Sequence, residues 1–234
     1  MNLFQISEEK FLEGQMLLIE KPIGWSSFDV VKKIKYLIRK RYNLKKIKVG
    51  HAGTLDPLAS GLLIICTGKF TKKISEIQDK RKIYTGIITL GGTTPSFDLE
   101  TEIEKNYKTD HISEDLIKKT TIKFLGEINQ VPPIFSALKK DGERLYEKAR
   151  RGEKIKINSR KVTIYKFESK LLHKVNVHFI IECSKGTYIR SIANDLGAAL
   201  NCGGYLSKLC RTDIGEFSLS NAMSINSFED HINT

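Results

Sequence analysis

Residues Gly50–Lys72 read GHAGTLDPLASGLLIICTGKFTK and carry the strongest structural signal in the chain. Its second half contains the apolar run Leu62–Cys66, which predicts a buried strand. Its first half is rich in glycine and places Asp56 directly before Pro57, which biases the aspartate toward an extended or turn conformation. The stretch therefore predicts a carboxylate presented from a constrained turn at the mouth of a buried strand.

Outward from this stretch, strands and helices are joined by several kinds of connection. Before it, Gln15–Glu20 predicts a strand, and Ser26 with Asp29 forms a capping-box pattern that predicts a helix. After it, we predict strands at Ile83–Leu90, Val162–Phe167 and Val175–Cys183. We also predict a helix at Ser113–Leu125 with Leu125 turned inward, and a helix capped by Thr187 whose apolar stripe begins with Ile189. This order favours an α+β fold with a mixed sheet.

Length and composition bound the possibilities further. The chain has 234 residues, 40% of them apolar, so it is expected to fold, as one domain or as one domain with two lobes. The longest apolar run is far short of the roughly 20 residues that span a bilayer, and the acidic amino terminus does not resemble a secretory signal. The sequence predicts a cytoplasmic protein with no membrane segment.

The chain carries a formal net charge of +12, and the excess is concentrated in two segments. The range 32–48 holds nine Lys or Arg and no acid, and the range 130–161 holds ten cations and four acids. Cations that neutralise phosphates provide salt-dependent affinity for nucleic acid. Both segments are candidate contacts to an RNA backbone, although a charged, solvated helix face also fits them.

The sequence contains no recognisable motif for binding a cofactor or a metal. The four cysteines form no CxxC pair and the five histidines show no metal-ligand spacing. Glycine-rich nucleotide motifs are absent as well. We expect a protein with no cofactor and no metal, with reduced cysteines and with chemistry carried out by side chains alone.

Five blocks of sequence, in order, resemble the TruB family of tRNA pseudouridine synthases. Besides Gly50–Lys72, they are Leu17–Val31 (LLIEKPIGWSSFDVV), Lys82–Asp98 (KIYTGIITLGGTTPSFD), Gln130–Gly152 (QVPPIFSALKKDGERLYEKARRG) and Cys183–Gly197 (CSKGTYIRSIANDLG). The resemblance covers nearly the whole chain. It implies a pseudouridine-synthase-like catalytic domain, with a largely antiparallel sheet flanked by helices, spanning residues 1–234.

The resemblance also implies the reaction, which is isomerisation of the uridine at position 55 in the T-loop of tRNA. The target base flips out of the stack, its N1–C1′ bond breaks, and C5 bonds to C1′ instead. Asp56 matches the family's catalytic aspartate, proposed either to attack covalently or to remove the C2′ proton. Both routes need an ionised carboxylate, which a neighbouring cation favours. Arg190 matches the arginine that pairs with this aspartate.

Further residues match family positions in the pocket. Tyr84 matches the tyrosine that stacks on the flipped base, and His51 matches the histidine that wedges into the T-loop. Lys72 and Tyr188 match other pocket positions. The range of about 130–161 is expected to be an insertion that grips the T-arm through Ser136, Lys139, Arg144, Tyr146 and Arg150.

The sequence departs from the family pattern in two places. Family members commonly carry a PUA domain after the catalytic part, and the stretch after Phe228 leaves no room for one, so we expect that it is missing. Cys210 occupies a position where another basic residue is expected, which would weaken one contact near the pocket.

Two other functions stay open at this point. A tRNA-binding folding chaperone would keep the fold and charge with incidental turnover, and a basic ribosome-associated or DNA-binding protein would show little preference for tRNA.

A monomer is expected, because the sequence indicates no self-complementary surface.

Overall fold

A computed structural model of the protein describes residues 7–136, 138–140, 142–153 and 155–233, with the backbone alone for Lys139 and Lys140. The helices are α1 Glu8–Glu13, α2 Ser27–Arg41, α3 Ile74–Asp79, α4 Glu114–Ile122, α5 Leu145–Arg150, α6 Ile189–Ala199 and α7 Ile225–Asn233. The strands are β1 Met16–Lys21, β2 Val49–His51, β3 Ala59–Thr67, β4 Lys82–Leu90, β5 Gly92–Thr93, β6 Lys105–Asn106, β7 Gly126–Gln130, β8 Lys139–Lys140, β9 Glu143–Arg144, β10 Arg160–His173, β11 Asn176–Cys183, β12 Gly204–Ile214 and β13 Phe217–Ser218. Short 3₁₀ helices cover Gly68–Lys73 and Leu219–Asn221.

The chain divides into two compact units. The first comprises Met1–Tyr84 and Cys210–Thr234, and the second comprises Thr85–Leu209. Strands β4 and β12 each contribute residues to both. No helix in the described ranges is long and apolar enough to cross a membrane.

In the first unit, β3 pairs antiparallel with β1 and with β2, and it is also a neighbour of β12. One face of β1 and β3 packs on α2 and α7, and the other face packs on Ile77 and Ile214. Burial on both faces explains the uninterrupted apolar run of β3. Gly61 in this strand has φ +109°, and a Cβ there would lie 2.3 Å from the carbonyl oxygen of Arg211, so only glycine fits.

In the second unit, the strand order is β12, β4, β11, β10, β7, and both β11 and β7 pair antiparallel with β10. Alternate residues of β11 are fully buried, and Ile192 and Leu196 give α6 its buried stripe. The mixed sheet with flanking helices confirms the predicted fold class.

The capping box at Ser26 and Asp29 is present as predicted, and it starts α2. Two local predictions are wrong. Thr187 does not cap α6, because its hydroxyl donates to the Ser184 carbonyl instead, and Tyr188 takes the N-cap position without a side-chain bond. Helix α4 ends at Ile122, so Leu125 lies beyond it and is 44% exposed.

Candidate active site

The turn that carries Asp56 is held by a buried arginine of the same unit. Arg211 is 1% exposed, and its guanidinium donates to the carbonyls of Gly53 (2.9 Å), Leu62 (2.9 Å) and Thr54 (3.5 Å). The three acceptors lie on the turn and on β3. A rigid guanidinium that bonds both segments fixes the turn against the strand.

A buried lysine holds the other side of the turn. The ammonium of Lys21 donates to the carbonyls of Trp25 (2.6 Å), Pro22 (2.9 Å) and Pro57 (3.5 Å). Burial lowers the pKa of Lys21 to about 8, although the nearby carboxylate of Asp56 partly opposes this shift. Asp56 itself is half-buried, and its backbone carbonyl accepts from the amide of Ala59 at 3.0 Å.

The first turn of α2 also contacts this loop. The hydroxyl of Ser27 accepts from the Leu55 amide at 2.8 Å and donates to the Leu55 carbonyl at 3.1 Å. Leu55 directly precedes Asp56, so the helix start, Lys21 and Arg211 together restrict the backbone around the carboxylate. This is the arrangement expected of a reactive group that must keep a fixed direction.

Three more predicted site residues lie in the first unit. His51 ends β2, is half-buried, and has its pKa lowered by burial and by the positive charge of Arg211. A lowered pKa favours the neutral imidazole, which can stack as an uncharged ring. Tyr84 lies in β4 and is 8% exposed, whereas Lys72 is exposed on the 3₁₀ helix after β3.

In the second unit, Arg190 lies in the first turn of α6 and is 3% exposed. It donates to the Ser96 carbonyl at 3.2 Å, and its Nε lies 3.6 Å from the Asp98 carboxylate. Asp98 is itself 5% exposed and accepts from the Glu100 amide at 3.0 Å. A buried carboxylate thus faces the buried guanidinium and fixes its orientation.

A buried glutamine fixes the start of α6. Gln130 is fully buried, and its side-chain amide accepts from the Tyr188 amide at 2.8 Å and donates to the Tyr188 carbonyl at 3.0 Å. The Ser191 hydroxyl donates to the Val131 carbonyl at 2.7 Å. The guanidinium of Arg160 lies 4.5 Å from the centre of the Tyr188 ring. Hydrogen bonds therefore restrict the backbone on both sides of Arg190.

The residues predicted to grip the T-arm lie on β8, β9 and α5 and in the loop before them. The ring of Tyr146 lies 5.8 Å from the guanidinium of Arg144 and 5.5 Å from that of Arg150. Arg150 also pairs with Glu100 at 2.9 Å. Ser136 is buried, and its carbonyl accepts from the Tyr146 amide at 3.1 Å. The side chain of Lys139 lies outside the described part of the chain.

The structure thus places His51, Asp56, Lys72 and Tyr84 in the first unit and the other predicted site residues in the second. Sequence reasoning missed the residues that hold them, which are Lys21, Asp98, Gln130 and Arg211. The sequence showed Lys21 before Pro22 and Gln130 at the start of a block, but it gave no sign of burial. The described residues contain no group of three or more His, Cys, Asp and Glu placed to hold a metal ion.

Solved structures share this fold. A chain of the Cbf5–Nop10–Gar1 crystal structure matches with a TM-score of 0.69 at 27% identity, covering 98% of this chain and 59% of that chain. A chain of an H/ACA RNP bound to a substrate RNA containing 2′-deoxyuridine matches with a TM-score of 0.67 at 25% identity, with 98% and 58% covered. This protein thus spans about three-fifths of the length of both solved chains. The fold is that of the pseudouridine synthases.

Similarity in sequence identifies the family within the pseudouridine synthases. The model of the TruB family pseudouridylate synthase (N terminal domain) matches residues 39–189. The tRNA pseudouridine synthase B of Flavobacterium johnsoniae is 58% identical over 228 residues, which are 97% of this chain and 100% of the relative. The protein of the same name from Phocaeicola vulgatus is 48% identical over 220 residues, or 94% of each chain. The chain belongs to the TruB family.

Proposed function

We propose that this chain isomerises the uridine at position 55 of the tRNA T-loop to pseudouridine. The observation that carries the proposal is end-to-end similarity, at 58% identity, to a protein named tRNA pseudouridine synthase B. The restrained Asp56 turn supports it, because a nucleophile or base needs a fixed direction toward the sugar or base. The net charge of +12 also suits a tRNA substrate.

In this proposal Asp56 carries the chemistry, by covalent attack or by removal of the C2′ proton. The N1–C1′ bond breaks, C5 bonds to C1′, the C5 proton is lost and N1 gains a proton. Arg190 directs the aspartate, and its own orientation is fixed by Asp98 and by the Ser96 carbonyl. No cofactor or metal takes part.

The remaining site residues bind the RNA. Tyr84 stacks on the flipped base, His51 fills the vacated position in the loop, and Lys72 and Tyr188 line the pocket. The T-arm contacts are Ser136, Lys139, Arg144, Tyr146 and Arg150. The Tyr146 ring lies 5.8 Å and 5.5 Å from two guanidinium groups, which supports this assignment, because aromatic and guanidinium groups together suit RNA. The protein acts as a cytoplasmic monomer.

The test is nucleoside analysis of tRNA transcripts after incubation with the protein. A transcript with uridine at position 55 should gain one pseudouridine, and a matched transcript with cytidine there should gain none. Equal gain in both transcripts would contradict the assigned position. No gain despite tight and selective tRNA binding would favour the chaperone.

A further inference from the structure

One face of α2 combines exposed aromatic rings with cations. Phe28, Lys32, Lys35, Tyr36 and Arg39 recur at helical spacing, and we call this face the α2 stripe. Phe28 is 60% exposed and Tyr36 is 56% exposed, and the ammonium of Lys32 lies 4.8 Å from the centre of the Phe28 ring. The apolar residues of the helix face the core instead. The two rings of the stripe are therefore left at the surface, although Arg39 donates to the Leu44 carbonyl at 3.1 Å.

A basic groove adjoins the α2 stripe. We call it the lysine groove, and its volume is about 620 Å³. Four of its lining residues are uncharged, namely Leu12, Ile47, Gly68 and Thr71. The other seven are cations, namely Lys35, Arg39, Lys45, Lys46, Lys48, Lys69 and Lys72. All seven are exposed, and none forms an ion pair with an acidic residue of the described chain. By contrast, Lys33 on another side of α2 pairs with Glu229 at 2.7 Å. The groove therefore keeps a concentrated, uncompensated positive charge.

Both surfaces lead to the candidate catalytic turn. Ser27, next to Phe28, is hydrogen-bonded to Leu55, which precedes Asp56. From Phe28 to Arg39 the helix rises about 16 Å at 1.5 Å per residue. The groove lies at one end of the β2–β3 ladder, where Val49 pairs with Thr67, and His51 lies two residues further along, or about 7 Å.

We propose that the α2 stripe and the lysine groove bind the substrate RNA strand beside the flipped nucleotide. Phe28 and Tyr36 stack on unpaired bases, and the groove cations neutralise the phosphates of the same strand. A cationic channel with interleaved exposed aromatic rings is the composition used to bind single-stranded nucleic acid. The proposal rests on the proposed function, since it takes the RNA that enters the Asp56 turn as its ligand.

The stacking is tested with Phe28→Ala/Tyr36→Ala, measuring affinity for a tRNA transcript over a series of salt concentrations. We expect affinity to fall at least about tenfold while the slope of log Kd against log salt stays unchanged, because stacking releases no counterions. The variant Phe28→Trp/Tyr36→Phe keeps both rings and should retain affinity. Tyr165→Ala, which removes an exposed ring from β10, is the control.

The phosphate contacts are tested with Lys45→Gln/Lys46→Gln/Lys48→Gln. Loss of three phosphate contacts should flatten the salt slope by about 2 to 3, at roughly 0.7 to 0.9 per contact. The control Lys119→Gln/Lys123→Gln/Lys174→Gln removes the same charge from exposed lysines elsewhere and should change the slope by less than half as much. An equal decrease of the salt slope in both variants would show that only net charge matters, and would contradict the proposed phosphate binding in the lysine groove.

The proposed stacking by the α2 stripe is contradicted if Phe28→Ala/Tyr36→Ala binds as tightly as wild type. It is also contradicted if the ring-preserving variant loses as much affinity as the alanine variant. Pseudouridine formation by wild type is measured separately on the same transcript. Its failure would reject the proposed function, whereas the stripe and the groove are decided by the binding comparisons with their controls.

Discussion

The two units bury cationic side chains in different ways. In the first, Lys21 and Arg211 donate to backbone carbonyls of the segments around Asp56. In the second, Arg190 faces the carboxylate of Asp98. Carbonyl acceptors hold a loop in place without neutralising the cation, whereas a carboxylate also balances its charge. The comparison indicates that buried cations of the first unit fix the backbone of the aspartate turn, whereas in the second unit a carboxylate fixes a buried guanidinium.

The largest effect is expected in the second unit, for Asp98→Ala. Removing this carboxylate from the buried Arg190 should lower the free energy of unfolding by about 3 to 5 kcal/mol, measured by urea denaturation. The double variant Arg190→Met/Asp98→Ala should recover part of the loss, because it removes both charges. A double variant as unstable as the sum of the two single changes would show that the pair is not coupled.

In the first unit, Arg211→Met should lower the free energy of unfolding by about 2 to 4 kcal/mol. Three carbonyls of the turn and of β3 lose a charged donor. Urea denaturation measures the loss, and Lys208→Met, an exposed change on the same strand, should stay within about 0.5 kcal/mol of wild type. Equal stability of the two variants would show that the hydrogen bonds of Arg211 do not stabilise the turn.

The buried charge of Lys21 makes the free energy of unfolding depend on pH. Its pKa is about 8 in the folded protein against 10.5 ordinarily, so the unfolded chain binds the proton more tightly. The free energy of unfolding should therefore rise with pH between about 8 and 10.5, and the full cost of the buried charge is present below pH 8. From pH 7.5 to pH 10, wild type should gain about 2 kcal/mol relative to Lys21→Met. Lys69→Met, at an exposed site, should follow wild type, and a parallel course for Lys21→Met would contradict the buried charge.

The smallest effect is expected for Ser27→Ala. Its hydroxyl bonds both backbone groups of Leu55, so the loss should be about 1 to 2 kcal/mol in urea denaturation. Ser75→Ala, at an exposed position of α3, is the matched control. A loss no greater than that of the control would show that α2 does not position the turn.

Much of the fold could be predicted where local pattern and burial agree. The Ser26 and Asp29 capping box marks the start of α2, and the alternation in β11 follows its burial. Strand β12 was missed, because polar residues, among them Lys208 and Arg211, interrupt its apolar pattern. The carbonyls that accept from Arg211 lie on residues 53, 54 and 62, about 150 positions away in sequence. Such acceptors have no sequence signature.

In the candidate site too, residues in local motifs could be predicted and residues that act through long-range contacts could not. Asp56 and Arg190 could be named because they fall in recognisable motifs, and their roles stay predictions. Asp98 lies at the end of a quoted block, but its importance depends on a contact with Arg190, 92 residues later. Residues that act through a long-range contact become visible only when the fold brings them together.

The role proposed for Asp56 is isomerisation of a tRNA uridine. Its most direct test is release of tritium from a tRNA labelled at uridine C5, because formation of the new C5–C1′ bond must expel that hydrogen. Wild type should release about one equivalent from position 55, and Asp56→Asn should bind the tRNA but release none. Release by Asp56→Asn at the wild-type rate would contradict the role of Asp56, and no release by folded wild type that binds tRNA would contradict the proposed isomerisation.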